Sequence, residues 1–280
     1  MKDSIYDGGA STTMDKSDTD ALRSAVQVLE HPSLTAHIAD VIGTPVALLR
    51  KLPAGASQAI TQATTKSLDG ALKVALLTIR GGSQESSQIL HKALVVASGA
   101  TGGALGAVSL PIELPISTII ILRSILDIAR SEGEDLADPE ASLSCLQVFA
   151  LSGRTSTDDA AESGYFAVRA GLTTAVATAA HFIAEGGIVK ESSPALVRLI
   201  ALIASRFGLV VSQKVAAQAV PVVGALGGAA INYLFMDHFQ SVARGHFTVR
   251  RLERKYGKDI VAEAYERLQQ EFGASAKSRA

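Results

Sequence analysis

The residues from Ala93 to Leu122 contain one ionisable side chain, Glu113. A stretch this apolar has to pack inside a protein or lie against lipid, because its exposure to water is unfavourable in proportion to its area. Glycines recur in its first half at three- and four-residue spacings, at Gly99, Gly102, Gly103 and Gly106. On a helix this spacing forms a smooth stripe that lets another backbone approach closely. The stripe predicts helix packing through Gly99, Gly103 and Gly106.

A second stretch, Val215–Met236, is similar to the first. Gly103-Ala-Leu-Gly106 recurs within it as Gly224-Ala-Leu-Gly227, roughly 120 residues later. The repetition predicts two glycine-striped hydrophobic helices, one from each half of the chain. We expect them to pack against each other at the centre of the fold, with Gly224 and Gly228 at the contact.

The composition favours helices over strands. Hydrophobic residues make up 48% of the 280 positions, aromatic residues only 5%, and tryptophan is absent, so the apolar excess is small and aliphatic. Such side chains suit closely packed helices better than a β-sandwich. We therefore predict an all-α chain with a single helical domain at residues 18–273. A disordered acidic tail is expected at residues 1–17 and a frayed tail at residues 274–280.

Local signals place helix ends after the glycine stripe. Pro111 and Pro115 are expected to break the helix around the acid between them, because proline lacks the backbone N–H that a helix uses. A new helix is predicted at Ile116–Ser131, with Gly133 closing it. Asp138-Pro139-Glu140 combines a cap, a first-turn proline and a first-turn acid, which predicts the start of the next helix.

Glu113 is the most informative single residue, because a carboxylate in an apolar setting needs a cationic or hydrogen-bonding partner. Arg123 is the first choice and Arg244 the second. Two interpretations stay open: a paired carboxylate that locks the hairpin, or a group for proton transfer, catalysis or ligand binding. Arg123 and Asp127, four residues apart, are also expected to pair. The predicted buried polar residues are Glu113, Arg123, Asp127, Asn232 and Arg244.

Asp237 and His238 are the other candidates for acid–base chemistry. Adjacent helical residues point in different directions, which favours a structural role for this pair. His181 and Glu185 have the spacing of two metal ligands, but no third ligand is nearby in sequence, so no metal site is predicted. The sequence also lacks a phosphate loop, a dinucleotide fingerprint, a nucleophile elbow and an HExxH motif, and we predict no cofactor.

The first apolar stretch allows two interpretations. Eight aliphatic residues between Leu94 and Leu114 supply about −4 kcal/mol toward membrane insertion, at roughly −0.5 kcal/mol each. A charged Glu113 opposes insertion by roughly 3 kcal/mol, and the glycines and prolines make the remaining insertion energy still less favourable. The stretch is therefore predicted either as a buried core hairpin or as a hairpin that enters or touches a bilayer. Val215–Met236 inserts just as weakly.

A basic segment follows the second apolar stretch and has aliphatic and aromatic residues interleaved with its cations. Each cation near an anionic leaflet contributes roughly 1 kcal/mol, so the segment is predicted to lie on a membrane surface, the alternative being a solvated helix face. Its members are Arg250, Arg251, Arg254, Lys255 and Lys258. The formal net charge of −1 argues against a general nucleic-acid binder. The N-terminus has no signal-peptide core, which predicts a cytoplasmic protein.

Two sets of motifs resemble the EcsC protein family, named for the third product of a bacterial operon encoding an ABC transporter. In the first set, the glycine run precedes Leu110–Pro115, Arg123–Ala129 and Gly133–Asp135. The second set is Pro221–Gly224, Asn232-Tyr233, Asp237-His238, Ala243-Arg244, Phe247 and Arg251–Glu253. The family's acid between the two prolines is more often Asp, and Glu113 keeps the charge with a longer reach. Together the motifs cover roughly residues 57–257. The resemblance implies links to secretion and the bacterial cell envelope, without a settled biochemical activity.

We expect a non-enzymatic, membrane-associated protein, cytoplasmic and peripheral to the inner membrane. An anionic membrane surface is its expected partner, together with a membrane transporter or another protein. The alternative is a hydrolase that acts on an envelope substrate with Glu113, Asp237 and His238. A cleft joining those three residues would favour the hydrolase, whereas a continuous apolar face beside the basic segment would favour the membrane-associated protein.

Overall fold

A computed structural model describes residues 14–30, 34–42, 52, 56–79, 110–153, 164–186, 193–219 and 221–277. The described residues form nine helices and no strand, which confirms the predicted all-α fold with a single helical domain. The helices are α1 Lys16–Glu30, α2 Leu34–Ile42, α3 Ala56–Ile79, α4 Leu110–Ser131, α5 Pro139–Leu151, α6 Gly164–Gly186, α7 Pro194–Gln218, α8 Pro221–Tyr256 and α9 Lys258–Lys277.

The described core is arranged around α5. Every residue from Ala141 to Leu151 is buried, as expected of a helix that is apolar on all sides. The Phe149 ring lies 4.9 Å from the Phe207 ring of α7 and 5.2 Å from the Phe239 ring of α8, measured between centroids. Aromatic contacts at these distances add to the burial energy, so α5 joins the second half of the chain into one core.

The predicted central pair of glycine helices falls largely outside the described residues. Gly99, Gly103 and Gly106 lie there, as does most of the first apolar stretch. Gly224 and Gly228 belong to the first turns of α8, but the surroundings of residues 221–229 are not among the described ones. Packing through these five glycines therefore stays a prediction.

Helix α4 differs from its predicted course. It begins at Leu110 and continues through both prolines, so Glu113 lies in its first turn rather than in a helix break. Pro111 sits where backbone N–H groups have no helical partner in any case. Pro115 removes only one hydrogen bond, close to the helix start. The predicted break was wrong because both prolines fall so early in the helix.

Gly133 closes α4 as predicted. Its φ of +82° lies in the left-handed region that glycine adopts without strain. The Glu134 N–H donates to the Ala129 carbonyl at 3.0 Å and the Gly133 N–H donates to the Arg130 carbonyl at 3.1 Å, which is the Schellman arrangement. The predicted start of α5 is also confirmed, because the Asp138 side chain accepts a hydrogen bond from the Glu140 N–H at 3.1 Å.

Helices α4 and α8 run parallel, side by side. The Gln240 side chain donates to Ser124 Oγ at 2.8 Å, and Arg250 Nε donates to Glu134 Oε1 at 2.8 Å, both with a sequence separation of 116 residues. A constant separation requires the same chain direction in both segments. The turn after α4 consequently lies against the C-terminal part of α8, where the basic residues are.

Both predicted tails are partly helical. Helix α1 begins at Lys16, and the Asp15 carboxylate accepts a hydrogen bond from Lys255 Nζ at 3.1 Å. Helix α9 extends to Lys277. Residues 1–13 and 278–280 lie outside the described part of the chain.

Candidate functional site

The basic segment of α8 is held by acidic residues of the same chain. The Arg250 guanidinium donates two hydrogen bonds to the Glu134 carboxylate, from Nε at 2.8 Å and from Nη2 at 2.9 Å. Arg254 donates to the same carboxylate and, at 2.6 Å, to the Glu132 carbonyl. Paired hydrogen bonds of this kind between a guanidinium and a carboxylate are among the strongest polar contacts in proteins.

The network extends to the N-terminal helix. Arg251 Nε donates to Glu132 Oε2 at 2.8 Å, and its Nη1 donates to Asp18 Oδ1 at 3.0 Å. Lys255 Nζ donates to Asp18 Oδ2 at 2.6 Å. The hydroxyl of Tyr256 also donates to Asp18, at 2.9 Å. We call this set the α8 ion-pair network: Asp15, Asp18, Glu132, Glu134, Arg250, Arg251, Arg254 and Lys255.

The pKa values of its acids reflect these contacts. Burial by itself raises the pKa of Glu134, but the Arg250 and Arg254 guanidiniums outweigh it and hold the pKa below its ordinary value. The hydrogen bond from Lys255 is the main reason why the pKa of Asp18 is lowered. The four cations nearest the end of α8 are thus ion-paired within the chain, although the Arg254 and Lys255 side chains are still 42% and 51% exposed. Their contact with a membrane surface stays a prediction. Lys258, at the start of α9, is exposed.

A second buried ion pair lies beside this network. Arg169 of α6 donates to Glu253 of α8 from Nη1 at 2.8 Å and from Nη2 at 2.6 Å, and both side chains are at least 86% buried. Next to it, the Tyr165 hydroxyl and His246 Nδ1 are 2.8 Å apart. Burial lowers the pKa of His246 well below its ordinary value, so the ring is neutral. None of these contacts was predicted, because the partners lie far apart in sequence.

A cleft of about 650 Å³ opens between the turn after α4, helices α5 and α6, and the junction of α8 with α9. The Arg169–Glu253 and Arg250–Glu134 pairs form part of its lining. Exposed acids from two helix starts, Glu140 of α5 and Asp259 of α9, line it as well. Helix α6 supplies an apolar wall to the cleft through Phe166, Ala170 and Val176. The cleft is therefore mixed in character: its buried charges are paired, and its exposed ones include Lys258 as well as Glu140 and Asp259.

Glu113 is paired as expected, but with a different cation. Lys214 Nζ of α7 donates to Glu113 Oε1 at 2.8 Å and lies 4.6 Å from the Phe235 ring centroid. The Lys214 side chain is fully buried and that of Glu113 is 23% exposed. Burial lowers the pKa of Lys214 despite the nearby carboxylate. A lone lysine within the apolar sequence of α7 was the signal that could have identified this partner.

The remaining predicted buried polar residues are less buried than expected. Asp127 is 75% exposed and accepts a hydrogen bond from Arg130 Nη1 at 3.0 Å rather than from Arg123. Asn232 and Arg244 are exposed, and Arg123 is half-buried. Consecutive residues of a helix point about 100° apart, so a residue next to a buried one in sequence can be exposed, and proximity to the apolar stretch did not predict burial.

The three residues of the hydrolase alternative are not joined. His238 is buried, Asp237 is half-buried, and no hydrogen bond within the described residues links either of them to Glu113. Burial lowers the pKa of His238 to about 4, although a hydrogen bond with the backbone of Ser152 opposes the shift. The contacts of His238 are those of a packed core residue.

The two predicted metal ligands, His181 and Glu185, are in contact, but no third ligand joins them among the described residues. His181 Nε2 and Glu185 Oε1 lie 3.2 Å apart, and both side chains are largely exposed. Among the described residues, no group of three His, Cys, Asp or Glu side chains has the arrangement of a metal site.

Two of the described helices are long and apolar enough to cross a membrane. They are α6, with a mean hydropathy of 1.3 over its most apolar window, and α7, with 1.9. Only 28% of the α6 window and 39% of the α7 window is buried in the molecule. Core helices of soluble proteins can have the same length and composition. These values therefore show only that the two helices are long and apolar enough to cross a membrane. Both helices differ from the stretches that the sequence suggested.

The fold, then, is that of an all-helical protein whose long helix α8 is held by acids from the first half of the chain. The family model described as the EcsC protein family matches residues 17–252. The chain belongs to the EcsC protein family. No curated protein and no solved structure matches it.

Proposed function

We propose that this chain is a membrane-contacting protein of the bacterial cell envelope that touches lipid through the outer faces of α6 and α7. The observation that carries the proposal is the exposure of three aliphatic side chains on α7, whose solvent-facing side also includes Arg198 and Ser205. Val197 is 55% exposed, Leu202 38% and Leu209 37%. Side chains of this size are exposed in small numbers on any protein surface, but here they belong to the most apolar described helix.

The face continues on α6, which packs against α7. Its exposed residues are small and uncharged over more than two turns: Ala167, Ala170, Gly171, Thr173, Thr174, Ala177 and Thr178. The surface is uncharged, and the hydroxyls of Thr173 and Thr178 donate to carbonyls of the same helix. Arg198, exposed next to Val197, has the length to keep its charge among lipid headgroups while its stem lies against the apolar region.

The proposed contact is peripheral rather than transmembrane. Three exposed aliphatic side chains supply about −1.5 kcal/mol, at roughly −0.5 kcal/mol each, which is far short of stable anchoring. Binding should therefore be reversible and depend on lipid concentration. Anionic lipid is proposed to contribute through Arg198 rather than through the α8 ion-pair network, whose cations already have partners.

The finer role is proposed from the family alone. An EcsC protein that touches the inner membrane from the cytoplasm could serve a transporter or a secretion process, as a non-enzymatic component. Among the residues that the structure describes, no contact favours the hydrolase alternative, since Glu113 is held by Lys214 and His238 is packed in the core.

Flotation of the purified protein with phospholipid vesicles tests the proposal. At high lipid concentration, a larger fraction of the parent protein than of a variant with Val197→Asp and Leu209→Asp should rise with neutral vesicles. Tyr233→Asp is the matched control, because Tyr233 is 69% exposed but belongs to α8. Binding by the double variant equal to that of the parent, or failure of the parent to float, would contradict the proposal.

A further inference from the structure

We propose that the end of α8 contains a phosphate-binding site that the first turn of α1 keeps closed. Arg251, Lys255 and the Tyr256 hydroxyl bind the phosphate group when the site is open. In the closed arrangement, the Asp15 and Asp18 carboxylates accept the hydrogen bonds of the same three side chains. The ligand is a phosphate group carried by a lipid headgroup or by a soluble molecule. The site lies on a different helix from the lipid contact proposed for α7.

The three donors converge on the two carboxylates. Lys255 Nζ lies 2.6 Å from Asp18 Oδ2 and 3.1 Å from Asp15 Oδ2. The Tyr256 hydroxyl lies 2.9 Å and 3.1 Å from the same two atoms. Arg251 Nη1 donates to the other Asp18 oxygen at 3.0 Å. A guanidinium, an ammonium and a hydroxyl so arranged can donate charge-assisted hydrogen bonds to the oxygens of one phosphate group. The aspartates therefore occupy the position that a phosphate would take.

The part of the α8 ion-pair network formed by α1 is more open than the part formed by the turn after α4. The Glu134 side chain is 4% exposed and that of Arg250 17%, whereas Asp15 and Lys255 are each 51% exposed. Ion pairs between exposed side chains contribute little to stability, so an anion can displace Asp15 at small cost. Asp18 is 8% exposed, and closure therefore rests mainly on its carboxylate.

The first turn of α1 can unwind without disturbing the core. The buried apolar residues of α1 begin at Leu22, one turn after Asp18. Of the described residues before Leu22, Met14 packs against the core and is only half-buried, and Lys16 and Ser17 are exposed. The N–H groups of a first turn also lack carbonyl partners within their helix. An unwound first turn thus leaves the rest of α1 in place.

Opening changes the charge of this surface. With both aspartates in place, the α8 ion-pair network has four acids and four cations. Without Asp15 and Asp18, four cations face two acids, and the exposed Lys258 follows closely in sequence. A surface with an excess of cations attracts anionic groups. The first turn of α1 therefore determines whether the end of α8 attracts a phosphate group.

A double variant with Asp15→Asn and Asp18→Asn tests the site. It keeps the cap of α1, in which Asp15 Oδ1 accepts the Asp18 N–H at 2.8 Å, because asparagine caps a helix about as well as aspartate. The matched control carries Asp20→Asn and Asp127→Asn, which remove two exposed acids outside the network. The double variant should bind phosphate about tenfold more tightly than the control, since no carboxylate has to be displaced.

Two sources of phosphate are measured separately. Flotation with vesicles containing phosphatidylglycerol reports on a lipid headgroup, and isothermal titration with inorganic phosphate, without lipid, reports on a soluble one. A gain with either ligand supports the site and identifies its source. All proteins in the experiment also carry Val197→Asp and Leu209→Asp. The lipid contact proposed for α7 is then removed throughout, so its failure and the failure of this site are distinguishable.

Two results would overturn the proposal. One is equal binding of both ligands by the double variant and the control. The other is a gain that persists when Arg251→Gln and Lys255→Gln are added, which would show a diffuse attraction to surface charge. Should the double variant fail to fold, Asp15→Asn alone alters a half-exposed side chain and should give a gain of about threefold. No gain in that single variant would overturn the proposal equally.

Discussion

The basic segment of α8 and the outer face of α7 reverse the roles that their sequences suggest. The first has four cations that look available for a membrane surface, and each of them is bound by acids of the same chain. The second belongs to a helix apolar enough for a protein core, and Val197, Leu202 and Leu209 on it are exposed. The membrane contact that we propose therefore uses the apolar region rather than the basic one.

The difference shows that a run of cations can be neutralised by acids from distant parts of the chain. A guanidinium paired with a buried carboxylate loses its hydration, and so does the carboxylate. The pair therefore stabilises the fold only while both partners are present. The cations of α8 fix the turn after α4 and the start of α1. The exposed side chains of Val197, Leu202 and Leu209 do not hold another helix or turn in place in this way.

The largest expected effect is that of Glu134→Gln, which leaves Arg250 buried without its carboxylate. Breaking a buried ion pair from one side costs about 3–5 kcal/mol, and we expect a loss in that range in the free energy of unfolding, measured with urea. Asp127→Asn removes an exposed pair and should cost less than ~0.5 kcal/mol. Equal effects for the two variants would mean that the α8 cations are available to other partners after all.

Glu113→Gln should have a smaller effect than Glu134→Gln. It strands Lys214, but burial already lowers the pKa of Lys214, so the lysine can lose its proton instead of remaining a buried charge. We expect a cost of about 2 kcal/mol, below the range for a broken buried pair. A second change, Lys214→Met, should recover most of it. Arg123→Gln, the change at the partner first expected from the sequence, should leave the unfolding free energy nearly unchanged.

Acid should weaken the α8 ion-pair network selectively. The pKa values of Asp18 and Glu134 are lower in the folded chain than their ordinary values of 3.8 and 4.5. The stability that they contribute is therefore complete above the ordinary values and is lost as the pH falls through the folded ones. The melting temperature should drop below about pH 4.5 more steeply in the parent than in Glu134→Gln. Parallel pH profiles would show that Glu134 does not carry this dependence.

The smallest effect on stability is expected for the α7 face. Val197→Asp and Leu209→Asp alter exposed side chains, so each should change the free energy of unfolding by less than ~0.5 kcal/mol. A loss of several kcal/mol would place these residues in an internal contact and remove the basis for membrane contact. Thermal unfolding of the two variants beside Tyr233→Asp makes the comparison.

The sequence predicts what depends on neighbours in the chain. The helical fold, the Gly133 turn and the Asp138 cap are of this kind, and all three are confirmed. The need of Glu113 for a cation was also predictable. Which cation it meets was not, because Lys214 lies 101 residues away.

Longer-range pairing explains the other differences. Arg251 meets Asp18 across 233 residues and Arg254 meets Glu134 across 120, so composition within the basic segment cannot reveal that its charge is satisfied. The prolines of α4 were misjudged for a local reason: their effect depends on the exact helix start, which sequence patterns place only to within a few residues. The cleft could not be predicted either, because its lining comes from α5, α6, α8 and α9 together.

A fluorescent label at one site on each of the two regions compares them most directly. Cys145, the one cysteine in the sequence, is buried, and burial raises the pKa of its thiol, so an environment-sensitive dye will attach to an introduced cysteine. Val197→Cys reports on α7 and Lys258→Cys on the end of the basic segment. With neutral phospholipid vesicles, the dye at position 197 should brighten and shift to the blue while the dye at 258 stays unchanged. A shift at 258 without one at 197 would contradict membrane contact through α7.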